Sequence, residues 1–345
     1  MMAAFLLREI EGSEPIERDR EFLRLNGEST LRMSSGNESV AAVASPSVHP
    51  RPHANYFAVL ADYWAMTKPE VNFLIVIATV AGFYLGSAAV REALAIGRLI
   101  HTTLGTLLVS SGTAVLNEFL ERRFDAQMRR TAGRPLPAGR IQPALALWFG
   151  ILLAATGSLY LLLAVNGLSS LLAFLALAAY LLVYTPLKRK TSLCTLIGAF
   201  PGAVPPLIGW AAATGSLSGE AWVLFSIFFL WQFPHFMAIA WMYRDDYARA
   251  GFQVLPVNNS RDYFVAAQTL FPTLLLVAVS LIPAWVNAAS RVYLAGALLL
   301  SLGFFYYAVR LSVRLSNQTA RRMLFASIIY LPLLLGLQIV TRKPW

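Results

Sequence analysis

The sequence predicts an all-α integral membrane protein, a bundle of nine transmembrane helices. Of its 345 residues, 57% are hydrophobic and only 13% are charged. Apolar runs of roughly 20 residues, long enough to cross the hydrocarbon core of a bilayer as a helix, recur along the whole chain. Lipid tolerates helices or closed barrels, and these runs lack the apolar–polar alternation of a barrel strand.

Nine apolar segments follow one another in chain order. They lie at about 71–90, 99–120, 144–164, 168–186, 193–213, 222–242, 264–285, 292–310 and 323–340. Small residues between Gly105 and Ala114 in the second segment predict close helix packing. The fifth segment contains Pro201, Pro205 and Pro206, which predict a bent or broken helix because proline removes backbone hydrogen bonds. A bent helix can make room for a bulky ligand.

Residues 1–55 differ from the remainder of the chain. They hold eight acidic residues and six arginines without long apolar periodicity, a composition typical of disorder. The acids argue against a mitochondrial transit peptide, and the start lacks the apolar core of a signal peptide. We therefore expect a disordered cytoplasmic tail at 1–55 and the nine-helix transmembrane domain at 56–345. A single cysteine, Cys194, excludes an intrachain disulfide.

Charge distribution predicts how the helices are oriented. The net charge is +10, and basic residues concentrate in the loops after segments two, four, six and eight. The positive-inside rule places such loops in the cytoplasm. With nine spans, the N-terminus is then cytoplasmic and the C-terminus lies outside the membrane. The expected location is the cytoplasmic (inner) membrane of a bacterium.

A polar stripe ends the second segment. Asn117, Glu121 and Asp125 recur every four residues, which places them on one face of a helix. Their oxygen atoms suit a hard cation such as Mg²⁺, and the arginines nearby suit phosphate groups. Acids and arginines at a helix end can also form a solvated cap with i,i+4 pairs. Carboxylates at the edge of an apolar span are costly to hold there, however, and this favours a functional role.

A second acidic site follows the sixth segment. It consists of Asp245 and Asp246, and a Leu-Pro pair follows Asp245 after ten residues, as another follows Asp125 after eleven. Both sites follow even-numbered segments, so both face the same side of the membrane. Two carboxylate clusters beside basic loops predict a pocket that holds a diphosphate through Mg²⁺. An apolar tail on that diphosphate would lie between the helices.

Four motifs together resemble a known family. They read N-x3-E-x3-D followed by MRRTAGRPLPAGR, then YTPLKRKT with TLIGAFPGAVPPLIGW, then WQFPHFxAIAW, then DDYARAG. Over roughly Asp62 to Thr341 the chain is similar to the protohaem IX farnesyltransferases, the haem O synthase branch of the UbiA-type intramembrane prenyltransferases. The resemblance implies a nine-helix bundle with two aspartate-rich motifs that bind Mg²⁺ and farnesyl diphosphate. It also implies transfer of the farnesyl group to a vinyl group of haem b, giving haem O for haem-copper oxidases.

The resemblance assigns roles to individual residues. The implied metal ligands and catalytic acids are Asn117, Glu121, Asp125, Asp245 and Asp246, and Lys188 and Arg189 match the basic segment. Arg129 and Arg134 correspond to the family's R-T-x-x-R-P run, which binds substrate. The implied partners are farnesyl diphosphate, haem b as a substrate rather than a cofactor, the lipid bilayer, and haem A synthase or oxidase assembly factors. No nucleic-acid partner is expected.

Aromatic residues and a histidine complete the candidate site. Tyr184 and Trp231 could stabilise an allylic cation through their ring faces. His235, next to Pro234 in the sixth segment, has two interpretations. It is either a hydrogen-bonded structural residue beside a kink or a residue that faces the haem.

Two residues depart from the family's usual pattern. Glu121 stands where aspartate is usual, and Arg123 stands where a further aspartate is frequent, so the number of Mg²⁺ ions stays open. Two alternative functions also stay open. A related prenyltransferase would share the acidic motifs but use a quinone precursor or chlorophyllide, and a transporter would use polar groups in broken helices without catalysis.

Overall fold

The computed structural model describes residues 56–89, 95–256, 261–286 and 290–341. The proposed tail at 1–55 lies outside the described residues. The chain divides into two units, 1–60 and 61–345. Of the first unit, only residues 56–60 are described, and they form the beginning of helix α1.

All regular secondary structure within the described ranges is helical, as predicted. The helices are α1 Tyr56–Met66, α2 Pro69–Ala89, α3 Ile96–Asp125, α4 Pro143–Ala164, α5 Gly167–Ala178, α6 Thr185–Leu187, α7 Cys194–Gly202, α8 Pro205–Thr214, α9 Gly219–Met242, α10 Arg244–Arg249, α11 Arg261–Trp285, α12 Arg291–Val313 and α13 Asn317–Thr341. A π-helical stretch, Ala179–Tyr184, joins α5 to α6.

Nine stretches of the described chain are long and apolar enough to cross a membrane, which confirms the predicted number. The second is longer than the hydrophobic pattern indicates. It runs from Ile96 to Asp125 as one continuous helix, whereas the apolar segment ends near residue 120. The polar stripe therefore belongs to the span itself and inherits the rigid geometry of a helix.

The fifth span is broken, as its prolines predict. Helix α7 ends at Gly202 and α8 begins at Pro205, because a proline lacks the backbone N–H that would continue the first helix. Helix α8 then packs backbone to backbone against α2. A methyl group added at Gly209 would collide with the carbonyl oxygen of Thr79, so this glycine permits the close approach.

Close packing also fixes α3 against α4. A methyl group at Gly112 would lie 2.6 Å from the backbone nitrogen of Ala154, and one at Gly157 would lie 2.7 Å from that of Val109. Small residues let helices in lipid approach at this distance. The sequence prediction of close packing around Gly112 is confirmed, and the polar end of α3 continues from this rigid contact.

Candidate active site

The polar stripe of α3 points into the protein. Asn117, Glu121 and Asp125 are 2%, 6% and 1% exposed, and the neighbouring Glu118 is 1% exposed. Arg123, by contrast, is exposed, as expected for a residue on the opposite side of the helix. Three buried carboxylates within three turns are costly unless other groups compensate their charge.

Each member of the predicted stripe contacts a cation from a different part of the chain. The Lys188 ammonium, which follows α6, donates to the two carboxylate oxygens of Glu121 at 2.8 and 3.0 Å. Arg134 donates to Asp125 Oδ2 at 2.8 Å. Lys68, between α1 and α2, donates from Nζ to the amide oxygen of Asn117 at 3.2 Å.

The loop after α3 is hydrogen-bonded back to α3. Thr131 donates from its hydroxyl to the backbone carbonyl of Asp125 at 2.8 Å, and the Leu136 N–H donates to Glu118 Oε1 at 3.4 Å. These bonds fold the loop back over the end of α3. Because Arg134 lies between them, they place its guanidinium beside the Asp125 carboxylate.

The second acidic site reaches the same loop through Asp246. Its Oδ2 accepts a hydrogen bond from the backbone N–H of Arg130 at 3.4 Å, and its Oδ1 forms an ion pair with Arg249. The sequence order also corrects one assignment: the first arginine of the R-T-x-x-R-P run is Arg130, which directly precedes Thr131, and not Arg129. Arg129 is exposed in the loop.

Asp245 differs from its neighbour. Its side chain is 80% exposed, and its Oδ1 lies 3.9 Å from Arg244 Nε. The structure thus brings Asp246 to the loop of the first motif and leaves Asp245 directed towards solvent.

Aromatic rings surround the basic residues that follow α6. Lys188 Nζ lies 4.8 Å from the centre of the Tyr184 ring and 5.8 Å from that of Phe252. The Arg189 guanidinium lies 4.2 Å from the centre of the Phe124 ring. Such cation–π contacts hold both cations near the end of α3 without using their hydrogen-bond donors.

The π-helical stretch contributes to this arrangement. The Thr185 hydroxyl donates to the Tyr180 carbonyl at 2.9 Å and accepts from the Asn117 amide at 3.3 Å. Asn117 therefore has its oxygen on Lys68 and its nitrogen on Thr185, which fixes the orientation of its side chain. π-Helical turns of this kind are frequent at functional sites.

Trp231 and His235 contact another element. Trp231 donates from its indole N–H to the Ser327 carbonyl at 2.8 Å, and His235 Nδ1 shares a hydrogen bond of 2.8 Å with the Ser327 hydroxyl. The two rings stack with their centres 4.9 Å apart. These hydrogen bonds link α9 to α13. Within the described residues, neither Trp231 nor His235 contacts the acidic stripe.

Sequence reasoning missed Lys68 and Glu118 as site residues. Glu118 could have been found, because it is a third carboxylate in an otherwise apolar segment. Lys68 gave a weaker signal, a lone cation before Pro69. Its backbone adopts φ +51°, which is uncommon for a residue other than glycine and is worth inspection for a functional cause.

The pKa values of Lys68 and Lys188 are shifted in opposite directions. Burial lowers the pKa of Lys68 to about 8, and the cations Arg134 and Lys188 act in the same direction while Glu121 and Asp125 oppose it. Burial is also the largest influence on the pKa of Lys188 and acts to lower it, but the neighbouring Tyr184, Glu121 and Tyr180 side chains together raise that pKa above its ordinary value. At both lysines, burial lowers the pKa and the Glu121 carboxylate opposes it.

The carboxylate and amide oxygens of the stripe are chemically suited to bind a hard divalent cation. Within the described ranges, no three acidic, histidine or cysteine side chains converge as a preassembled metal centre. The stripe instead places one amide and two carboxylate oxygens on one helix face, where lysines and an arginine contact them. Carboxylate and amide oxygens shared with substrate phosphates are the usual ligands of Mg²⁺.

A protein-family model matches most of the chain. The model described as "UbiA prenyltransferase family" matches residues 74–329. This range contains α3, the loop after it, Lys188 and both acidic sites.

Curated relatives extend over most of the chain. A protein of Solibacter usitatus named "Protoheme IX farnesyltransferase" is 47% identical over 287 residues, which cover 81% of this chain and 98% of that protein. A protein of Koribacter versatilis with the same name is 40% identical over 310 residues, covering 88% and 99%.

Solved structures share the fold. A structure reported for digeranylgeranylglyceryl phosphate synthase in membranes superposes with a TM-score of 0.68 at 19% identity and covers 82% of this chain and 98% of that one. A UbiA homologue from Aeropyrum pernix superposes with a TM-score of 0.59 at 19% identity, covering 77% and 96%. At this level of identity the likeness concerns the arrangement of helices.

Proposed function

The chain belongs to the UbiA prenyltransferase family, and from this premise we propose that it transfers the farnesyl group of farnesyl diphosphate to a vinyl group of haem b, giving haem O. The name of the curated relatives and their 47% and 40% identity over nearly their whole length support this assignment. The product would serve haem-copper terminal oxidases, with haem A synthase or oxidase assembly factors as partners.

One observation carries the proposal: three separate parts of the chain each supply a cation to the buried acidic stripe. Lys68, Arg134 and Lys188 contact Asn117, Asp125 and Glu121 respectively. A plain solvated helix cap would not need to bury these groups or to pair them with cations from three separate segments between helices. Carboxylates and an amide paired with cations match a metal-bound diphosphate, whose oxygens would take over the cation contacts.

Mg²⁺ would be held by the stripe and by Asp245 and Asp246. When bound, it supplies positive charge that neutralises the diphosphate and favours its departure. Arg123 stands where a further acid is frequent in the family. Because Arg123 is exposed on the far side of α3, it is not proposed as a ligand.

The reaction begins as the allylic C–O bond breaks and its electron pair leaves with the diphosphate. Lys68, Arg134 and Lys188 stabilise the charge that develops on the leaving group. The vinyl group of haem b then attacks the farnesyl cation to form a carbon–carbon bond. Water adds to the resulting cation and loses a proton, which yields the hydroxyethylfarnesyl group.

The site must exclude water until the carbon–carbon bond has formed. Tyr184, which lies beside Lys188, is proposed to stabilise the allylic cation through its ring. Trp231 is proposed to stabilise the cation in the same way, and His235 is proposed to face the haem. They lie on α9, the helix that leads directly into the second acidic site.

The proposed location is a bacterial inner membrane, with the N-terminus and both acidic sites in the cytoplasm and the C-terminus outside. Residues 1–55 are proposed to be a dispensable tail. Inverted membrane vesicles from cells that express the chain test location and reaction together. Supplied with Mg²⁺, haem b and farnesyl diphosphate, they are expected to form haem O, identified by mass.

Each competing function gives a different result in this assay. Prenylation of a quinone precursor or chlorophyllide, without haem O, would identify another acceptor. Absence of any prenylated product from correctly inserted protein would favour transport. Sealed right-side-out vesicles should be inactive until opened with detergent, because farnesyl diphosphate does not cross the bilayer unaided. Activity in the sealed vesicles would place the pocket on the opposite side.

A further inference from the structure

A polar cavity lies away from the residues of the candidate active site. It has a volume of about 140 Å³ and lies between the end of α12 and the beginning of α13. The residues that line it are Tyr306, Tyr307, Arg310, Thr319 and Arg322. We propose that this cavity binds the phosphate headgroup of an anionic phospholipid.

The charge of this helical hairpin is one-sided. Residues 291–341 contain five arginines and no acidic residue. Four of the arginines lie between 310 and 322, where α12 ends and α13 begins. Within the described residues, no ion pair to a carboxylate involves Arg310 or Arg322. Two lining guanidinium groups are therefore available to an external anion.

The cavity is partly preorganised. Arg310 donates from Nη1 to the Tyr306 hydroxyl at 3.0 Å, and its guanidinium lies 5.8 Å from the centre of the Tyr306 ring. Tyr307 packs edge-on against Tyr306 with ring centres 5.4 Å apart. These contacts restrict the Arg310 side chain at the rim of the cavity. A planar guanidinium with several N–H donors is well suited to phosphate oxygens.

Position favours a lipid over a soluble anion. Helix α12 ends at Val313 and α13 begins at Asn317, so the cavity lies where two spans leave the apolar part of the membrane. Lipid phosphates occupy this depth, and basic pockets between transmembrane helices bind anionic headgroups. The positive-inside rule explains on which side the arginines lie. It does not explain why two of them share a cavity with two tyrosines.

The cavity lies at the end of the bundle that carries the acidic motifs. Arg244, adjacent to Asp245, donates to the Asn317 side chain at 3.0 Å. Asn317 begins α13, the helix that supplies Thr319 and Arg322 to the cavity. The lipid site is therefore on the face predicted to be cytoplasmic, where anionic phospholipids are available.

Native mass spectrometry of the full chain in detergent tests the proposal. Phosphatidylglycerol and phosphatidylcholine of equal chain length are titrated, and lipid-bound species are counted. The wild-type protein is expected to retain phosphatidylglycerol preferentially. A variant carrying Arg310→Gln and Arg322→Gln should bind phosphatidylglycerol roughly tenfold more weakly, since each cation near the headgroups contributes separately.

A matched control variant distinguishes lipid binding at the cavity from general attraction of anionic lipids to the basic surface. Lys190→Gln with Arg314→Gln removes two exposed cations from the same predicted face without altering the lining of the cavity, and it should leave lipid binding within about twofold of wild type. An equal loss in both double variants, or equal retention of the two lipids by the wild type, would overturn the proposal. Displacement of phosphatidylglycerol by inorganic phosphate at comparable concentration would also overturn it, by identifying a soluble anion as the ligand.

A more conservative variant tests the same site if the double arginine variant misfolds. Tyr306→Phe keeps the ring but removes the hydroxyl that positions Arg310, so phosphatidylglycerol binding should weaken by a few-fold in protein that elutes as wild type from a sizing column. Unchanged binding in this variant together with unchanged binding in the Arg310→Gln, Arg322→Gln variant would reject the site. All of these measurements are made without turnover, so their outcome does not depend on the proposed reaction.

Discussion

Lys188 donates to both carboxylate oxygens of Glu121, although it follows a different span from the one that contains Glu121 and is 67 positions away in sequence. Their side chains are 13% and 8% exposed, so the pair is shielded from solvent. This contact explains how glutamate can replace the aspartate that is usual in the family at position 121. The side chain of glutamate is one methylene longer than that of aspartate, and the flexible Lys188 side chain can reach the carboxylate of either residue.

Glu121→Asp is therefore expected to retain activity within about tenfold of wild type, because it keeps the charge and restores the ligand usual in the family.

Lys188→Met should reduce kcat/KM for farnesyl diphosphate by about a hundredfold or more. It should also destabilise the protein by about 3–5 kcal/mol, since it leaves a buried carboxylate uncompensated. Adding Glu121→Gln should recover stability but not turnover, as measured by thermal unfolding and haem O formation. Recovery of both would assign Lys188 a purely structural role.

Arg123→Asp is expected to cost little. The Arg123 side chain is exposed while Glu121 and Asp125 are buried, which supports a role as an anchor at the membrane edge. The Michaelis constant for farnesyl diphosphate and the Mg²⁺ dependence should stay within about twofold of wild type. A steep loss of farnesyl diphosphate affinity, with unchanged membrane insertion, would show instead that the long arginine side chain reaches the diphosphate.

Asp125→Asn is expected to abolish turnover in inserted protein. The amide keeps one oxygen but loses the charge that attracts Mg²⁺ and pairs with Arg134. Asp62→Asn is a matched control, because Asp62 also pairs with an arginine, Arg140, at 2.9 Å but lies outside the stripe. Haem O formation should survive in the control. Substantial activity of the Asp125→Asn protein would remove Asp125 from the site.

Lys68 combines a half-buried charged side chain with a backbone of φ +51°, and three substitutions separate these properties. Lys68→Met and Lys68→Gly both remove the charge and should raise the Michaelis constant for farnesyl diphosphate by about tenfold. Lys68→Arg should retain most of the affinity. Glycine tolerates positive φ, so Lys68→Gly should be the more stable of the two uncharged variants. If Lys68→Gly restored the affinity lost in Lys68→Met, the backbone rather than the ammonium would be the functional feature.

His235→Ala is expected to raise the haem requirement while farnesyl diphosphate binding is unchanged, because His235 is proposed to face the haem. Ser327→Ala removes the hydroxyl that contacts His235 and leaves the ring in place. It should therefore disturb haem dependence much less, even if both variants lose stability. Equal haem dependence of the His235→Ala protein and wild type would assign the histidine to packing between α9 and α13.

Local patterns in the sequence were sufficient for the architecture. The number of spans follows from segment length and hydropathy, and the break between α7 and α8 follows from the chemistry of proline. The common face of Asn117, Glu121 and Asp125 follows from helical periodicity alone. Each of these features depends on residues that are close together in sequence, so no knowledge of packing was required.

The tertiary structure alone decided which groups meet. The partners of the stripe, Lys68 and Lys188, are 49 and 67 residues from Asn117 and Glu121 in sequence, and His235 pairs with Ser327 across 92 residues. Hydropathy indicates that a helix is in the membrane, but neighbours are set by how glycines and other small side chains let backbones approach. Where each buried carboxylate finds its cation therefore depends on long-range packing, and no local pattern in the sequence specifies it.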